Sequence, residues 1–329
     1  MPARPLLFGR DPCSVGRMDS GPTPRRPIVG ADRPARPQVL KAALWMTGAI
    51  TSFSAMAVAG RMVQVELSTF ELMTYRSLIG LTAVLGIAAL RGRLGDIRPR
   101  RLPTHLLRNL CHFAGQNLWF WALTLIPLAQ VFALEFTAPV WVALLAPFLL
   151  AEPLTRPRAT AVALGFLGIL IVAHPFSGQI SPGLIAAATA AVGFAGTAIF
   201  TKRLTRTEPV LSILFWMTTM QTVMGLICAF AWGGHLRLPD ATTGPGLLVI
   251  GGAGLLAHYC LTTALSFAPA SIVMPFDFTR LPVIAVVGMV LYGEALDPMV
   301  FLGAAVIFAA NFYNVRNETR AAKSRHPAV

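Results

Sequence analysis

A helix that crosses the hydrocarbon core of a bilayer needs about 20 largely apolar residues, and this chain supplies ten such runs in succession. They cover residues 39–60, 68–90, 106–126, 128–150, 158–174, 183–201, 209–232, 246–267, 271–293 and 298–315. So many long runs exclude a water-soluble core. The chain is 55% hydrophobic and only 12% charged, against about 25% charged in soluble domains, so it lacks the polar groups to cover a wet surface. The expected fold class is therefore an all-α integral membrane protein. Pro127 separates runs three and four, and Pro269 separates runs eight and nine. Reading each pair as one kinked helix would give eight crossings, but a span of about 45 residues far exceeds the bilayer thickness.

The formal charge of +13 suggests nucleic acid at first sight. The basic residues, however, lie in short tracts between apolar runs, which is the pattern of membrane topology, and no nucleic-acid partner is expected. With the N-terminus inside and ten crossings, inner segments collect 23 of the 27 Lys and Arg residues. Outer connections hold only Arg61 and Arg237. Both termini are expected in the cytoplasm of a cell inner (plasma) membrane protein. Residues 1–38 hold eight prolines and seven arginines, the composition of a disordered basic tail, and no apolar leader core precedes Lys41. A short cytoplasmic tail is expected over 317–329. The four cysteines are widely scattered and suggest no disulfide framework.

Sliding the chain on itself by 142 residues superposes Glu135-Phe136-Thr137 on Asp277-Phe278-Thr279 and Glu152 on Glu294. The same shift carries Ala122-Leu123 onto Ala264-Leu265 and Pro127 onto Pro269. Each copy, 39–175 and 183–316, then holds five spans. Five is odd, so the second copy threads the membrane in the opposite sense. Ten transmembrane helices as two inverted five-helix repeats is the arrangement of secondary transporters, because halves related by an axis in the membrane plane can exchange conformations about a central site.

The segments LEFTAPVWVALLAPFLLAEPLTRPRATAVALGFLGILIV and SFAPASIVMPFDFTRLPVIAVVGMVLYGEALDP resemble the drug/metabolite transporter superfamily, of the EamA type with two tandem domains. The resemblance covers about residues 39–316. The second segment is similar to a subgroup whose members are assigned riboflavin or S-adenosylmethionine uptake. Ala151-Glu152 departs from the Gly-Glu pair common in that family, which Gly293-Glu294 keeps. The resemblance implies a carrier of small organic solutes. Spans one, three, four, six, eight and nine would line its cavity, with the fifth and tenth at the periphery.

Charges inside spans cost about 2.5–3.5 kcal/mol each on insertion scales and mark function by default. Four lie more than one turn inside a run: Arg76, Glu135, Asp277 and Arg280. Asp277 and Arg280 are three apart, so they share a helix face and can pair. Copy one has Ala138 where copy two has Arg280, leaving Glu135 without a local partner. Glu135 either faces a cavity, carrying a coupling proton or meeting a cationic solute group, or is locked to Arg76 of the neighbouring span. Arg280 alone would suit a carboxylate or phosphate. Glu152 and Glu294, at helix ends, read as solvated anchors.

His112, Gln116 and Asn117 on span three, with His258 and Tyr259 on span eight, could orient a ligand or bond helices together. Phe136 and Phe278 belong to a set of aromatic residues, with Trp119, Phe120, Trp121, Trp141 and Trp216, suited to stacking on a flat ring system or to ordinary packing. Small residues four apart, Ala161 and Gly165, Ala187, Ala191 and Ala195, and Ala305 and Ala309, predict close helix contacts. Pro139, Pro147, Pro275 and Pro282 should interrupt spans four and nine. No His-Glu-x-x-His, paired cysteines, Ser-His-Asp set or Gly-rich phosphate loop occurs, so neither metal nor cofactor is expected and an intramembrane enzyme is the weakest alternative. The expected function is alternating-access transport of a small organic metabolite, inward or outward, with a proton as candidate coupling ion. A channel or sensor is the alternative.

Overall fold

The computed structural model describes residues 38–98, 100–150, 154–173, 181–233, 235–268, 273 and 276–325. The tail expected over 1–38 lies outside them except for Gln38, as do Glu152, Pro269, Pro275 and residues 326–329. Among the described residues every regular element is helical. The helices are α1 (Val39–Val63), α2 (Thr69–Leu90), α3 (Leu102–Leu125), α4 (Leu128–Glu135), α5 (Ala138–Leu150) and α6 (Arg156–Ala173). They continue as α7 (Pro182–Leu204), α8 (Val210–Gly233), α9 (Thr243–Phe267), α10 (Arg280–Tyr292) and α11 (Pro298–Arg325).

Local chemistry sets the ends. Ser68 and Glu71 form a capping box at the start of α2, with the Ser68 N–H donating to the Glu71 carboxylate at 2.8 Å. Ser181 caps α7, and Pro182 occupies its first position, where the missing N–H costs nothing. Gly293, at φ +65°, ends α10 in the left-handed region that glycine tolerates. The last expected run agrees with the span Pro298–Asn317, and its helix carries on beyond it to Arg325. Residues 316–325 are rich in Arg, Ala, Glu and Lys, all good helix formers, with no Gly or Pro before Pro327.

Among the described residues eight segments are long and apolar enough to cross a membrane, α4 and α5 counting as the single run Leu128–Leu149. The two other expected spans fall short for different reasons. α3 has the length, but it carries His105, Arg108, Asn109, His112, Gln116 and Asn117, all buried against its neighbours. α10 has 13 residues, about 20 Å at 1.5 Å each, and a helical turn at 276–278 precedes it.

Packing follows the two-copy plan. α1 lies against α9 and α3 against α7, while the equivalent helices α2 and α8 pack on each other, as do α6 and α11. Every one of these pairs is antiparallel. Gln38 N–H donates to Phe267 O at one end of α1 and α9, and Gly246 abuts Val63 at the other. Gly80 abuts Thr218, and Gly225 abuts Thr74, between α2 and α8. Equivalent helices that run antiparallel require two copies upside down relative to one another.

α6 and α11 approach most closely where two glycines meet. A Cβ on Gly168 would lie 2.9 Å from Gly303 O, and one on Gly303 would lie 2.8 Å from Gly168 O. Such backbone proximity gives tight van der Waals packing where lipid removes the hydrophobic drive. Ala161, Gly165, Ala187, Ala191 and Ala195 are buried as expected. Ala305 and Ala309, by contrast, are exposed, and the packed face of α11 is Gly303, Ala304, Ile307 and Ala310. Spacing by four found the right periodicity there on the wrong phase.

Candidate functional site

Both copies break at the same place. In copy one α4 ends at Glu135 and α5 starts at Ala138, because Pro139 has no N–H to give and its ring would strike the carbonyl four residues back. Thr137 Oγ1 donates to Leu134 O at 2.6 Å, and the equivalent Thr279 Oγ1 donates to Phe276 O at 2.6 Å. The Phe136 carbonyl left by the break accepts from Asn311 Nδ2 at 2.9 Å. Pro147, also expected to interrupt, lies inside a helix that continues. The equivalent residues Phe136 and Phe278 stack on each other, centroids 4.3 Å apart and planes 20° apart. The pseudo-twofold axis therefore passes through this aromatic pair.

The acids flank it. Arg280 Nη2 lies 3.0 Å from Glu135 Oε1 and 3.6 Å from Asp277 Oδ2. Trp119 Nε1 donates to the other Glu135 oxygen at 2.8 Å. Glu135 thus has a partner, and it is Arg280 from the opposite copy rather than Arg76. A pairing across 145 residues becomes possible only once the two breaks are brought together. The Arg280 guanidinium is 3% exposed and faces the rings of Phe53 at 4.6 Å and of Phe132 and Phe136 at 5.0 Å. Such cation–π contacts strengthen as water is excluded. Arg280 Nε and Asp277 Oδ1 are buried and lack hydrogen-bond partners among the described residues. This cluster carries one net negative charge, and its cation is already committed to two carboxylates, so Arg280 does not stand alone for a solute anion. Phe53, Phe132 and the Trp119–Glu135 bond escaped sequence reasoning, since an aromatic residue in an apolar run carries no mark of the charge it will cover.

The other predicted residues divide. Arg76 is half-buried on α2 with its guanidinium over Gly254 of α9, where a Cβ would sit 3.4 Å from Nη2. Its Nη1 lies 4.0 Å from Met73 Sδ, and among the described residues no carboxylate forms a salt bridge with it. His112 is buried with Nδ1 unpartnered among the described residues, and Gln116 Oε1 is in the same condition one turn along. His258 sets its ring edge-on to Phe53 at 5.5 Å. Asn117 and Tyr259 are not brought to this group. Asn117 Nδ2 donates to its own helix at Phe113 O (2.8 Å), and Tyr259 is 61% exposed against Trp45.

The two ends of the bundle differ. At the Pro127 end, Glu294 is no solvated anchor: its side chain is 9% exposed, pairs with Arg61 and accepts from Leu128 N–H, the first amide of α4, at 2.9 Å. Arg61 lies over the Tyr292 ring at 4.3 Å. This bridge joins the copies through an ion pair, a helix N-terminus and a cation–π contact. At the opposite end a cavity of about 330 Å³ runs along α5 from Ala138 and Pro139, next to the break, to Lys202, Arg158 and Asn314.

Two inverted five-helix copies, broken at a shared charged centre in a multi-pass helical bundle, define a membrane transporter architecture. Residues 40–173 and 181–316 each match the EamA-like transporter family, and the chain belongs to it. Among its relatives, a riboflavin transporter of Brucella anthropi is 33% identical over 226 residues, covering 68% of this chain and 80% of that protein. A riboflavin transporter of Rhizobium johnstonii is 31% identical over 313 residues, 93% of this chain and 96% of the relative. An S-adenosylmethionine uptake transporter of Rickettsia felis is 25% identical over 282 residues, 86% and 95% of the two chains. A solved crystal structure of a protein, 20% identical, aligns with a TM-score of 0.57 over 85% of this chain and 98% of its own, a likeness of fold.

Proposed function

We propose that this protein is a secondary-active carrier of a small organic metabolite that works by alternating access in the plasma membrane. The observation that carries this reading is the contact of the two inverted copies at Glu135, Arg280 and Asp277, on the axis about which they would rock. Copy one spans 39–175 and copy two 183–316, with tails 1–38 and 317–329 on the cytoplasmic side, as the positive-inside rule requires. On that orientation the Arg61–Glu294–Leu128 bridge closes the outer end while the cavity at Lys202 opens inward. The names of the relatives support riboflavin-like or S-adenosylmethionine-like solutes, and amino-acid-like ones are the third candidate class.

Glu135 is the proposed coupling residue. Arg280 is closer to Glu135 than to Asp277. A proton on Glu135 would release the guanidinium to Asp277, and a solute donor or cation would compete in the same way. Moving one charge between two carboxylates repositions the equivalent breaks at little net cost, because the buried cation is never left alone. The test is counterflow in proteoliposomes with radiolabelled riboflavin, S-adenosylmethionine and amino acids. Saturable counterflow of one class supports the carrier; unitary currents with no counterflow point to a channel and overturn it.

A further inference from the structure

Arg76, His112 and His258 come from α2, α3 and α9, and all three carry hydrogen-bond donors or positive charge. α2 packs against both α3 and α9, which brings the three side chains to one region of the bundle. Its guanidinium crosses Gly254, one turn before His258 on the same helix, and among the described residues no carboxylate answers it. His112 is 7% exposed and its Nδ1 has no partner among the described residues, where Gln116, equally buried, also leaves Oε1 unbonded. Phe53 links this group to the acidic one, its ring taking the His258 edge at 5.5 Å and the Arg280 guanidinium at 4.6 Å. An arginine held within a membrane bundle without a counter-charge is costly unless something else supplies one. Its planar fork is shaped for two oxygens of one oxyanion.

We propose that Arg76, His112 and His258 form a second pole of the transport site that receives a carboxylate or phosphate of the solute. This inference rests on the carrier reading above and narrows its substrate class. The solute is bipolar: an oxyanion meets Arg76 and the two histidines, and a cationic or donor-bearing end meets Glu135 and Asp277. Its flat or apolar middle lies along Phe53. The acidic cluster would repel the oxyanion, so only one orientation binds.

Three matched pairs test it on the purified full-length protein by ligand-induced thermal shift, which reads binding by linkage. The probes are S-adenosylmethionine against its decarboxylated form, riboflavin 5′-phosphate against riboflavin, and tryptophan against tryptamine. In the wild type the oxyanion-bearing member of the pair that binds should half-saturate at a concentration at least tenfold lower. That preference should shrink to within twofold in Arg76→Met and survive in part in Arg76→Lys. Should Arg76→Met fail to fold, His112→Asn serves, weakening the oxyanion-bearing member three- to tenfold and leaving its mate unchanged. Binding without preference in the wild type, or an undiminished preference in Arg76→Met, overturns the second pole and leaves the carrier standing. Stabilisation by none of the six compounds overturns the pole together with the proposed substrate classes.

Discussion

Copy one and copy two agree where backbone shape is decided and disagree where charge is placed. Thr137 and Thr279 make the same 2.6 Å bond at the same break, and Phe136 stacks on its own equivalent Phe278. Yet Arg280 stands where copy one has Ala138, and Arg76 stands where copy two has Thr218, whose hydroxyl is satisfied by Leu214 O. Glu294 folds back over Gly288 after the left-handed Gly293, while the equivalent positions in copy one hold Ala146 and Ala151. A Cβ on Gly288 would collide with the Glu294 carboxylate. Symmetry of the frame permits two equivalent states. In the proposed carrier, asymmetry of the side chains would orient the solute and make one end close more firmly than the other.

Arg280→Met attacks the contact between copies most directly. It strands Glu135 and Asp277 in a buried site, and removal of one partner from a buried pair costs about 3–5 kcal/mol. Transport should vanish and the melting temperature fall. The double change Arg280→Ala with Ala138→Arg transfers the cation to the equivalent position, three residues from Glu135 as Arg280 is from Asp277. If the pseudo-twofold relation holds at the level of side chains, at least half of the lost stability returns; no recovery over Arg280→Ala would limit the equivalence to the backbone.

Glu135→Gln leaves Arg280 its bond to Asp277, so a smaller loss of about 1–3 kcal/mol is expected, by the scale of a charged hydrogen bond. Insertion should be unimpaired, but counterflow should drop at least tenfold and lose its dependence on pH. A variant that moves solute at the wild-type rate across pH 5–8 ends the proposed coupling role. Gly288→Ala and Glu294→Gln probe the firmer end, each at about 1–3 kcal/mol. A cysteine introduced at Val131 should become reactive to an impermeant thiol reagent added on the Pro127 side, and unchanged labelling would show that the bridge is no closure.

The smallest effect lies in the turns. Asp240, whose equivalent is Arg98, accepts from Thr242 and from Thr243 at the start of α9. These donors hold its carboxyl below the usual aspartate range, the Thr242 hydroxyl most of all. A depressed folded-state pKa means the contribution is complete above the unfolded value of about 3.9 and lost only as pH falls through the folded one. Amide exchange at 243–247, corrected for intrinsic rates, should therefore stay protected at pH 4 in the wild type. In Asp240→Asn that protection should be weaker at every pH.

Run spacing and the 142-residue shift already contain the helical runs and the inversion, since each rests on local chain chemistry and on the thickness of a bilayer, whereas the break of the fourth run into α4 and α5 appears only in the structure. The residues of the site were legible as types. Glu135, Asp277, Arg280 and Arg76 stand out because charge is rare in apolar runs. Their partners were not legible: Glu135 could have gone to Arg76, and Glu294 read as a solvated end. The phase of α11 was missed for the same reason, a spacing of four fixing a period but not which face meets the neighbour.

Sequence alone determined that this chain spans a membrane as two opposed copies, because apolar length and prolines act locally and parity forces the inversion. Only the tertiary structure decided that Arg280 answers Glu135 across the axis, that three phenylalanines enclose it, and that Arg76 lies over Gly254 with no acid beside it among the described residues. Those pairings depend on distances between helices far apart in the chain, and a charge seeks whichever partner the packing brings within a few ångströms.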